Sequence, residues 1–418
     1  MLYFQGITEL FTFPRLLLLR LRIYIYLYIF FALLLCRHIL TTTAKGVIHM
    51  KIICSKINLL NGVNTVSKAV PSKTTLSIQE CILMDTTKGQ ITLTANDMEM
   101  GIETIIDGEI IEKGTIALDA KILLEMVRKL PDNDVTIVTD ASYKATITCE
   151  KAKFNIIGKS GEDFSTLPHI ERSDSILISQ FTLKELIRQT SFSIADNLTN
   201  KILTGELFEI QDSIFKVVSS DGLRISLRKT QLKDSYPAKK VIVPGKTLNE
   251  ISKILSGDAD KDVHIFFTDK HILFEFENTT VVSRLIEGEY LKIDNILSAD
   301  YETKVRLNKR EFQSCIDRST LLVKEGDKKP LILNIKDDVM ELTMNSVIGS
   351  LDEEIDIIKS GKDLMIGFDP KFLIDALKVI DDEEVEMKLL NPKAPCFIKD
   401  NEESYTYLIL PVTFSTVG

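Results

Sequence analysis

The chain has 418 residues, of which 44% are apolar and 27% charged, a balance typical of globular proteins rather than disordered or fibrous ones. Its 51 basic and 60 acidic side chains give a net charge of −9, which disfavours a protein that coats DNA through bulk positive charge. The six cysteines include no C-x-x-C pair, so we expect reduced thiols in a cytosolic protein.

The first 49 residues differ in character from the rest of the chain. Residues 2–6 read Leu-Tyr-Phe-Gln-Gly, the remnant of a cleavable expression tag, and residues 16–36 are almost wholly apolar. The uninterrupted apolar part, Ile23 to Cys36, is shorter than the roughly 20 residues that a membrane-spanning helix needs. We therefore expect residues 1–49 to be a tag and upstream sequence that are not native. The alternative is a membrane-tethered interaction scaffold anchored by residues 16–36.

From Met50 onward, one helical pattern occurs three times at an offset of 125 residues. Its copies begin at Lys121, Lys246 and Lys371, and apolar residues return every third or fourth position in each. A second amphipathic segment lies about half a repeat earlier, starting near residues 56, 182 and 308. The sequence therefore predicts six helices in three related units.

Between the helices, apolar and polar residues alternate, as at 90–94, 214–218 and 339–343. This pattern predicts half-buried strands separated by turns. The predicted fold class is α+β, with each repeat built of two helices on antiparallel sheets. We place the units at 50–176, 177–302 and 303–418.

Charge is segregated between the helices and the rest of the chain. The six helical windows contain 14 basic and 8 acidic residues, although the whole chain is acidic. Basic helices that share one surface would neutralise DNA phosphates without reading sequence. If two chains closed into a ring, twelve helices spaced by roughly 10 Å would leave a bore of about 28 Å, wide enough for a duplex. The geometry favours a head-to-tail dimer.

The motifs of common enzyme classes are missing from the sequence. The five histidines lack metal-ligand spacing, and there is neither a P-loop nor a G-x-S-x-G elbow. A nuclease could be imagined from the acidic runs at 352–354 and 381–384, but neighbouring residues on a strand point to opposite faces. We expect a non-catalytic protein with no metal and no cofactor.

Four stretches, in this order on a threefold repeat, match a known family. They are Leu93–Met100 (L-T-A-N-D-M-E-M), Ser219–Arg224 (S-S-D-G-L-R), Val241–Pro244 (V-I-V-P) and Tyr407–Val412 (Y-L-I-L-P-V). From Met50 to Phe414 the chain resembles the bacterial sliding clamp, the beta subunit of DNA polymerase III. The resemblance implies three DNA-clamp domains per chain and a head-to-tail homodimeric ring in the cytoplasm. It further implies that the ring encircles double-stranded DNA, is opened by a clamp loader and makes the DNA polymerase catalytic subunit processive.

The resemblance also implies an apolar pocket between the second and third domains that holds peptides of the polymerase and of other clamp-binding-motif proteins. An apolar groove of this kind suits a short extended peptide with large apolar anchors. Carried over position by position, its residues are Leu203, Ser220, Gly222, Leu223, Arg224, Ile225, Leu291, Ile296, Leu408, Leu410, Pro411 and Val412.

Two further surfaces follow from the resemblance and the charge pattern. Residues of the first domain of one chain would meet residues of the third domain of the other, with opposite charges giving register. The predicted dimer contacts are Lys151, Lys153, Phe154, Leu321, Leu322, Asp352, Glu353 and Glu354. The predicted DNA-facing residues are Lys73, Lys121, Arg128, Lys184, Arg188, Lys253 and Lys378.

Overall fold

The computed structural model describes residues 50–196, 199–293, 296, 300–323, 329–400, 402 and 404–414. The predicted tag and the apolar segment 16–36 lie outside these residues. Within them, no helix is both long enough and apolar enough to cross a membrane.

Six α-helices lie where the repeated pattern predicts them. They are α1 (Lys56–Val66), α2 (Ala120–Lys129), α3 (Gln180–Thr190), α4 (Gly245–Ile254), α5 (Lys309–Thr320) and α6 (Pro370–Val379). Five begin at a residue whose side chain accepts a backbone N–H of the first turn: Ser55, Asp119, Ser179, Asn308 and Asp369. These caps satisfy N–H groups that have no partner within the helix, so the sequence itself marks the helix starts.

Twenty-four strands surround the helices in the described residues. The first repeat contains β1 (Lys51–Ser55), β2 (Cys81–Asp85), β3 (Ile91–Asn96), β4 (Met100–Ile106), β5 (Glu109–Glu112), β6 (Thr115–Asp119), β7 (Asp134–Thr139), β8 (Lys144–Cys149) and β9 (Ala152–Ile157). The second contains β10 (Ile176–Ser179), β11 (Gly205–Ser220), β12 (Arg224–Pro244), β13 (Asp262–Phe267), β14 (His271–Phe276) and β15 (Thr279–Arg284). The third contains β16 (Thr303–Asn308), β17 (Leu331–Lys336), β18 (Val339–Asn345), β19 (Ser350–Asp356), β20 (Ile358–Gly361), β21 (Leu364–Phe368), β22 (Glu384–Leu389), β23 (Cys396–Lys399) and β24 (Tyr405–Ile409).

The sheets run from one repeat into the next. In the eight-stranded sheet, β4 of the first repeat pairs antiparallel with β15 of the second, and in the seven-stranded sheet β12 pairs with β24 of the third. The equivalent strands that remain, β9 and β19, are the outer strands of a five-stranded and a four-stranded sheet. The two repeat joints are therefore backbone ladders, and in the described residues one edge of the same kind is unpaired in the first repeat (β9) and one in the third (β19).

The helices pack on the sheets through their apolar stripes. Buried residues of the first two repeats form one continuous cluster, and those of the third repeat form another. A smaller cluster lies at the joint between the second and third repeats. Across that joint α3 packs against α6. The five cysteines in the described residues are free and buried.

Candidate peptide pocket and DNA and dimer surfaces

A tight turn between β11 and β12 forms one wall of the predicted pocket. The Asp221 Oδ1 atom accepts hydrogen bonds from the backbone N–H groups of Leu223 (2.9 Å) and Arg224 (3.0 Å). The Ser220 hydroxyl accepts from the Gly222 N–H at 3.1 Å and donates to the Arg224 carbonyl at 2.8 Å. Gly222 has φ +91°, which glycine adopts at little cost. The turn is therefore fixed, and the Leu223 side chain extends from it half-exposed.

The apolar floor is assembled across the β12–β24 ladder. Ile225 lies opposite Leu408, and the Leu410 N–H donates to the Leu223 carbonyl at 2.9 Å. Leu203, Ile225 and Leu408 are buried in the cluster at this joint, and half-buried Leu410 packs against it. These four predicted residues, from separate parts of the chain, therefore meet.

The remaining predicted pocket residues lie around this floor. Leu291 and Ile296, on the segment between the repeats, are 38% and 40% exposed. Pro411 and Val412 are half-buried, and the Val412 N–H donates to the Gly367 carbonyl at 2.8 Å. Sequence reasoning missed Phe397, which lies opposite Leu408 in the β23–β24 ladder and belongs to the same cluster. The apolar run at 396–398 is the sequence signal that could have found it.

Arg224, a predicted pocket residue, also makes contacts that link the second and third repeats. Its Nη1 atom lies 2.8 Å from the Asp375 carboxylate in α6, and its Nη2 atom donates to the Phe192 carbonyl at 2.7 Å. The guanidinium also lies 4.5 Å from the centroid of the Phe372 ring. Three of its five N–H donors, on Nε, Nη1 and Nη2, therefore have partners inside the chain, and Arg224 joins the second and third repeats.

The predicted DNA-facing residues fall into two groups. Arg128, Arg188 and Lys253 each form an ion pair with an acid three positions earlier on the same helix: Glu125 at 2.9 Å, Glu185 at 2.5 Å and Glu250 at 2.8 Å. Arg188 also pairs with Asp381 at 2.8 Å, and its pKa is raised above all by the hydrogen bond that it donates to Glu185. The charge count of the helices did not anticipate this local compensation, which weakens these three residues as phosphate contacts.

Lys73, Lys121 and Lys378 are exposed and have no ion-pair partner among the residues that the structure describes. Lys378 has an acid at the matching position, Asp375, but that carboxylate is occupied by Arg224. Lys184 is half-buried and donates to the Leu255 carbonyl at 2.9 Å. The free positive charge on this surface is therefore concentrated on fewer residues than the sequence indicates.

The predicted dimer residues lie on or beside the two open sheet edges. Lys153 and Phe154 are exposed on β9, and Lys151 is in the turn before it. Asp352, Glu353 and Glu354 lie on β19. Glu353 is already paired with Arg318 of its own chain at 2.5 Å, and this contact lowers its pKa. Leu321 is 77% exposed, whereas Leu322 is half-buried against the core of the third repeat.

The acidic runs do not assemble into a metal centre. Asp352 and Glu354 are exposed on β19, and Glu353 between them turns to Arg318. In the described part of the chain, no group of three histidine, cysteine or acidic side chains is placed to hold a metal ion.

Three consecutive units with continuous sheets, paired helices and open matching edges define the class of DNA clamps. Family profiles match in the same order: the N-terminal domain of the DNA polymerase III beta subunit over residues 50–168, its central domain over 177–292 and its C-terminal domain over 294–413. The chain belongs to the DNA polymerase III beta subunit family.

Individual relatives agree with this assignment. A beta sliding clamp of Staphylococcus epidermidis is 35% identical over 364 residues, covering 84% of this chain and 96% of the relative. A crystal structure of a putative DNA polymerase III beta subunit from Eubacterium rectale is 68% identical, with a TM-score of 0.86 and coverage of 87% and 100%. The sliding clamp of Bacillus subtilis is 34% identical, with a TM-score of 0.84 and coverage of 88% and 100%.

Family membership confirms the resemblance, the fold class and the functional class predicted from the sequence. The chain is a DNA sliding clamp, a non-catalytic processivity factor of DNA replication.

Proposed function

We propose that two copies of this chain close head to tail into a ring around duplex DNA, and that the pocket at the joint between the second and third repeats tethers the DNA polymerase catalytic subunit and other partners. A clamp loader opens the ring. The chain acts in the cytoplasm, and Met50 begins the first of three clamp domains at 50–176, 177–302 and 303–418. Residues 1–49 take no part.

The observation that carries ring closure is the repetition of one strand pairing. At the first joint β4 pairs with β15, and at the second joint β12 pairs with β24. Among the described residues, the strands of the same type without such a partner are β19 and β9, both at sheet edges. Unpaired edges are templates for pairing with another chain. A second copy supplies the missing partner in each direction. Head-to-tail contacts form a ring when the rotation between copies closes, and in the proposed ring it closes after two copies.

The two existing joints fix the register of the third. Val282 lies opposite Gly101 at the first joint, and Leu408 lies opposite Ile225 at the second. Aligning β19 with β4 and β12, and β9 with β15 and β24, gives the same register from either joint. Lys151 of one chain then faces Glu354 of its partner, and Lys153 faces Asp352. Opposite charges in cross-strand pairs favour this register over its neighbours.

The pocket supports the tethering role. Its floor of buried leucine and isoleucine side chains lies beside half-exposed Leu223 and half-buried Leu410. An extended peptide with an apolar anchor could bury that anchor here while its backbone remains near the turn at Gly222. The free lysines of the helical surface would hold DNA phosphates without sequence preference, which permits sliding.

Topology provides the test of encirclement. The purified chain is loaded by its clamp loader onto nicked circular duplex and passed through a gel-filtration column, before and after a single cut linearises the circle. We expect the protein to travel with the circle and to separate from the linear DNA. A linear duplex with both ends blocked by bulky protein is the matched control and should retain the clamp. Equal retention on circular and freely ended linear DNA would contradict a ring.

A further inference from the structure

The joint between the first and second repeats carries a second copy of the pocket frame. Here the Asp97 Oδ1 atom accepts the N–H groups of Glu99 (3.0 Å) and Met100 (2.7 Å), as Asp221 does for Leu223 and Arg224. The Arg284 N–H donates to the Glu99 carbonyl at 2.8 Å, the counterpart of the bond from Leu410 to Leu223 at 2.9 Å.

The turn itself is repeated in its backbone conformation. Met98 has φ +74°, where Gly222 has +91°. A non-glycine residue with positive φ is uncommon and carries strain, so the surrounding hydrogen bonds must hold it in place. The Met98 N–H donates to the Asn96 side chain at 2.8 Å, in the way that the Gly222 N–H donates to Ser220. The result is a large apolar side chain, 59% exposed, at the rim of the joint.

A cavity of about 590 Å³ lies against this turn. Met98, Leu167 and buried Val282 give it an apolar side, and Leu167 packs over Gly101 so closely that a Cβ atom there would clash with it. Met100, Gly101 and Pro168 also line it, and its polar or charged lining residues are Asn96, Glu99, Thr166, His169, His271 and Arg284. This size falls in the range of sites that hold small ligands or short peptide segments.

The charges of the second cavity differ from those of the first pocket. Exposed Arg284 stands where the first pocket has Leu410, and two imidazoles, His169 and His271, lie nearby. Burial and the charges of Arg284 and Lys270 lower the pKa of His271, so its ring is neutral near pH 7 and can serve as a hydrogen-bond partner. Glu99 is the single acid of the lining. An occupant should therefore carry an apolar side chain for Met98 and Leu167 and a carboxylate for Arg284.

We infer that the joint between the first and second repeats is a second docking site of the clamp, for an extended acidic peptide with an apolar anchor. The inference rests on the proposed function, because the repeat that relates the two joints places both pockets on the same face of the ring. A partner held at the first pocket could then place an acidic segment in the second, and the two contacts would reinforce each other through a high effective concentration.

The probe is the blocked peptide Gly-Glu-Leu-Phe-Asp-Gly with an N-terminal fluorophore, titrated into the full-length clamp carrying Leu410→Glu, which blocks the first pocket. We expect saturable binding that Arg284→Glu weakens by about tenfold and Arg284→Lys largely preserves, since a reversed charge meets the peptide carboxylates. The matched control peptide has lysine in place of Glu and Asp and should not bind. Met98→Asp, at an exposed position outside both ladders, is a second variant that should also weaken binding.

A photo-crosslinking benzoylphenylalanine in place of the peptide Phe locates the site, and we expect adducts on residues 96–101 or 166–169. Three results would overturn the inference: no saturable binding at millimolar peptide, adducts confined to 220–225 and 408–412 in the parent chain, or binding indifferent to both Arg284→Glu and Met98→Asp. Polymerase stimulation by the parent chain and by the single variant Leu410→Glu is measured in parallel. If Leu410→Glu abolishes polymerase stimulation but no peptide binds at the second cavity, this inference is refuted and the proposed function stands.

Discussion

Arg224 of the second repeat and Asp375 of the third form an ion pair across the joint between them, with Nη1 2.8 Å from Oδ2. The two side chains are only 9% and 22% exposed, and the Asp221 carboxylate lies 2.9 Å from Nε of the same guanidinium. The contact therefore links the turn that shapes the pocket to helix α6. Pocket geometry and the angle between the two repeats depend on the same side chain.

We predict that Arg224→Ala destabilises this joint by about 3 kcal/mol, because it leaves the carboxylates of Asp221 and Asp375 without their cation in a largely buried setting. Arg224→Lys should not restore the loss, since an ammonium group cannot reproduce the planar fork. Urea unfolding of the full chain measures the change. The matched control is Arg318→Ala, whose pair with Glu353 is half-exposed and should be worth less than about 1 kcal/mol. A similar midpoint for both variants would contradict this assignment.

The second prediction concerns Glu206, which is fully buried in β11 beneath α3. Burial raises the pKa of its carboxyl from 4.5 to about 8. The Thr190 hydroxyl lies 2.7 Å from the Leu186 carbonyl and 3.1 Å from both Glu206 oxygens. The Thr190 hydroxyl has a single hydrogen, which it can donate to the Leu186 carbonyl. A protonated Glu206 can then donate its own hydrogen to the Thr190 oxygen, so that all these groups are hydrogen-bonded.

This raised pKa makes the stability of the second repeat depend on pH. Between pH 4.5 and about 8 the unfolded chain has lost the Glu206 proton while the folded chain keeps it, so stability falls as the pH rises, and above pH 8 the loss is complete. Glu206→Gln removes the effect, and its advantage over the parent should grow from pH 5 upward to about 3 kcal/mol near pH 7. Urea midpoints across this range measure it. Glu112→Gln, at an exposed position, is the control. If the difference in stability between Glu206→Gln and the parent did not change with pH, the raised pKa of Glu206 would be refuted.

The repeat made much of the fold predictable from the sequence. Apolar spacing at 121–130, 246–255 and 371–380 is a local signal, and each copy folds as a helix, two of them with starts marked by the capping residues Asp119 and Asp369. The pairing of β4 with β15 is not local. It depends on backbone edges that both repeats leave free, and nothing in the alternating pattern of either strand specifies the partner.

The site was predictable only in part, for a similar reason. Leu203, Ile225 and Leu408 could be placed in one pocket because the resemblance supplied their proximity, which hydrophobicity alone does not. Charge counting could not reveal that Arg128, Arg188 and Lys253 are compensated, since that depends on which rotamers reach which carboxylates. The use of Asp375 by Arg224, 151 residues apart, is likewise a tertiary contact that spacing cannot show.

The proposed closure register leads to a charge-reversal prediction. Lys151→Glu with Lys153→Glu should weaken the dimer about tenfold, because each introduced carboxylate would then face an acid of the partner. Adding Asp352→Lys and Glu354→Lys to the same chain should restore it. Sedimentation measures the dissociation, with a parent mass of twice 47.2 kDa expected. Lys144→Glu, at an exposed position on the inner strand β8, is the control. If Asp352→Lys and Glu354→Lys did not restore the dimer, the proposed register would be contradicted.

Leu410 provides the sharpest test of the peptide pocket. It is half-buried at the edge of the cluster, so Leu410→Asp places a charge where an apolar anchor would sit without opening the core. We expect polymerase stimulation to be lost while the dimer and retention on circular DNA persist. Leu203→Asp is less informative because Leu203 is buried, so a charge there also destabilises the fold. The matched control is Ile358→Asp, at an exposed position on β20 outside the predicted pocket, dimer and DNA surfaces, which should leave stimulation unchanged. Full stimulation by Leu410→Asp would exclude this pocket.

The last prediction separates free from compensated charges on the DNA-facing surface. Lys378→Ala removes an exposed ammonium group that has no ion-pair partner in the described residues, whereas Lys253→Ala removes one that is already balanced by Glu250 at 2.8 Å. Each lost phosphate contact lowers the slope of log affinity against log salt by about 0.9, so Lys378→Ala should reduce the slope and Lys253→Ala should hardly alter it. Fluorescence anisotropy with a short duplex at several salt concentrations measures both. The double variant Lys253→Ala with Glu250→Ala keeps the local charge sum and serves as the control. If Lys253→Ala reduced the slope as much as Lys378→Ala, local pairing would not govern which helix residues contact DNA.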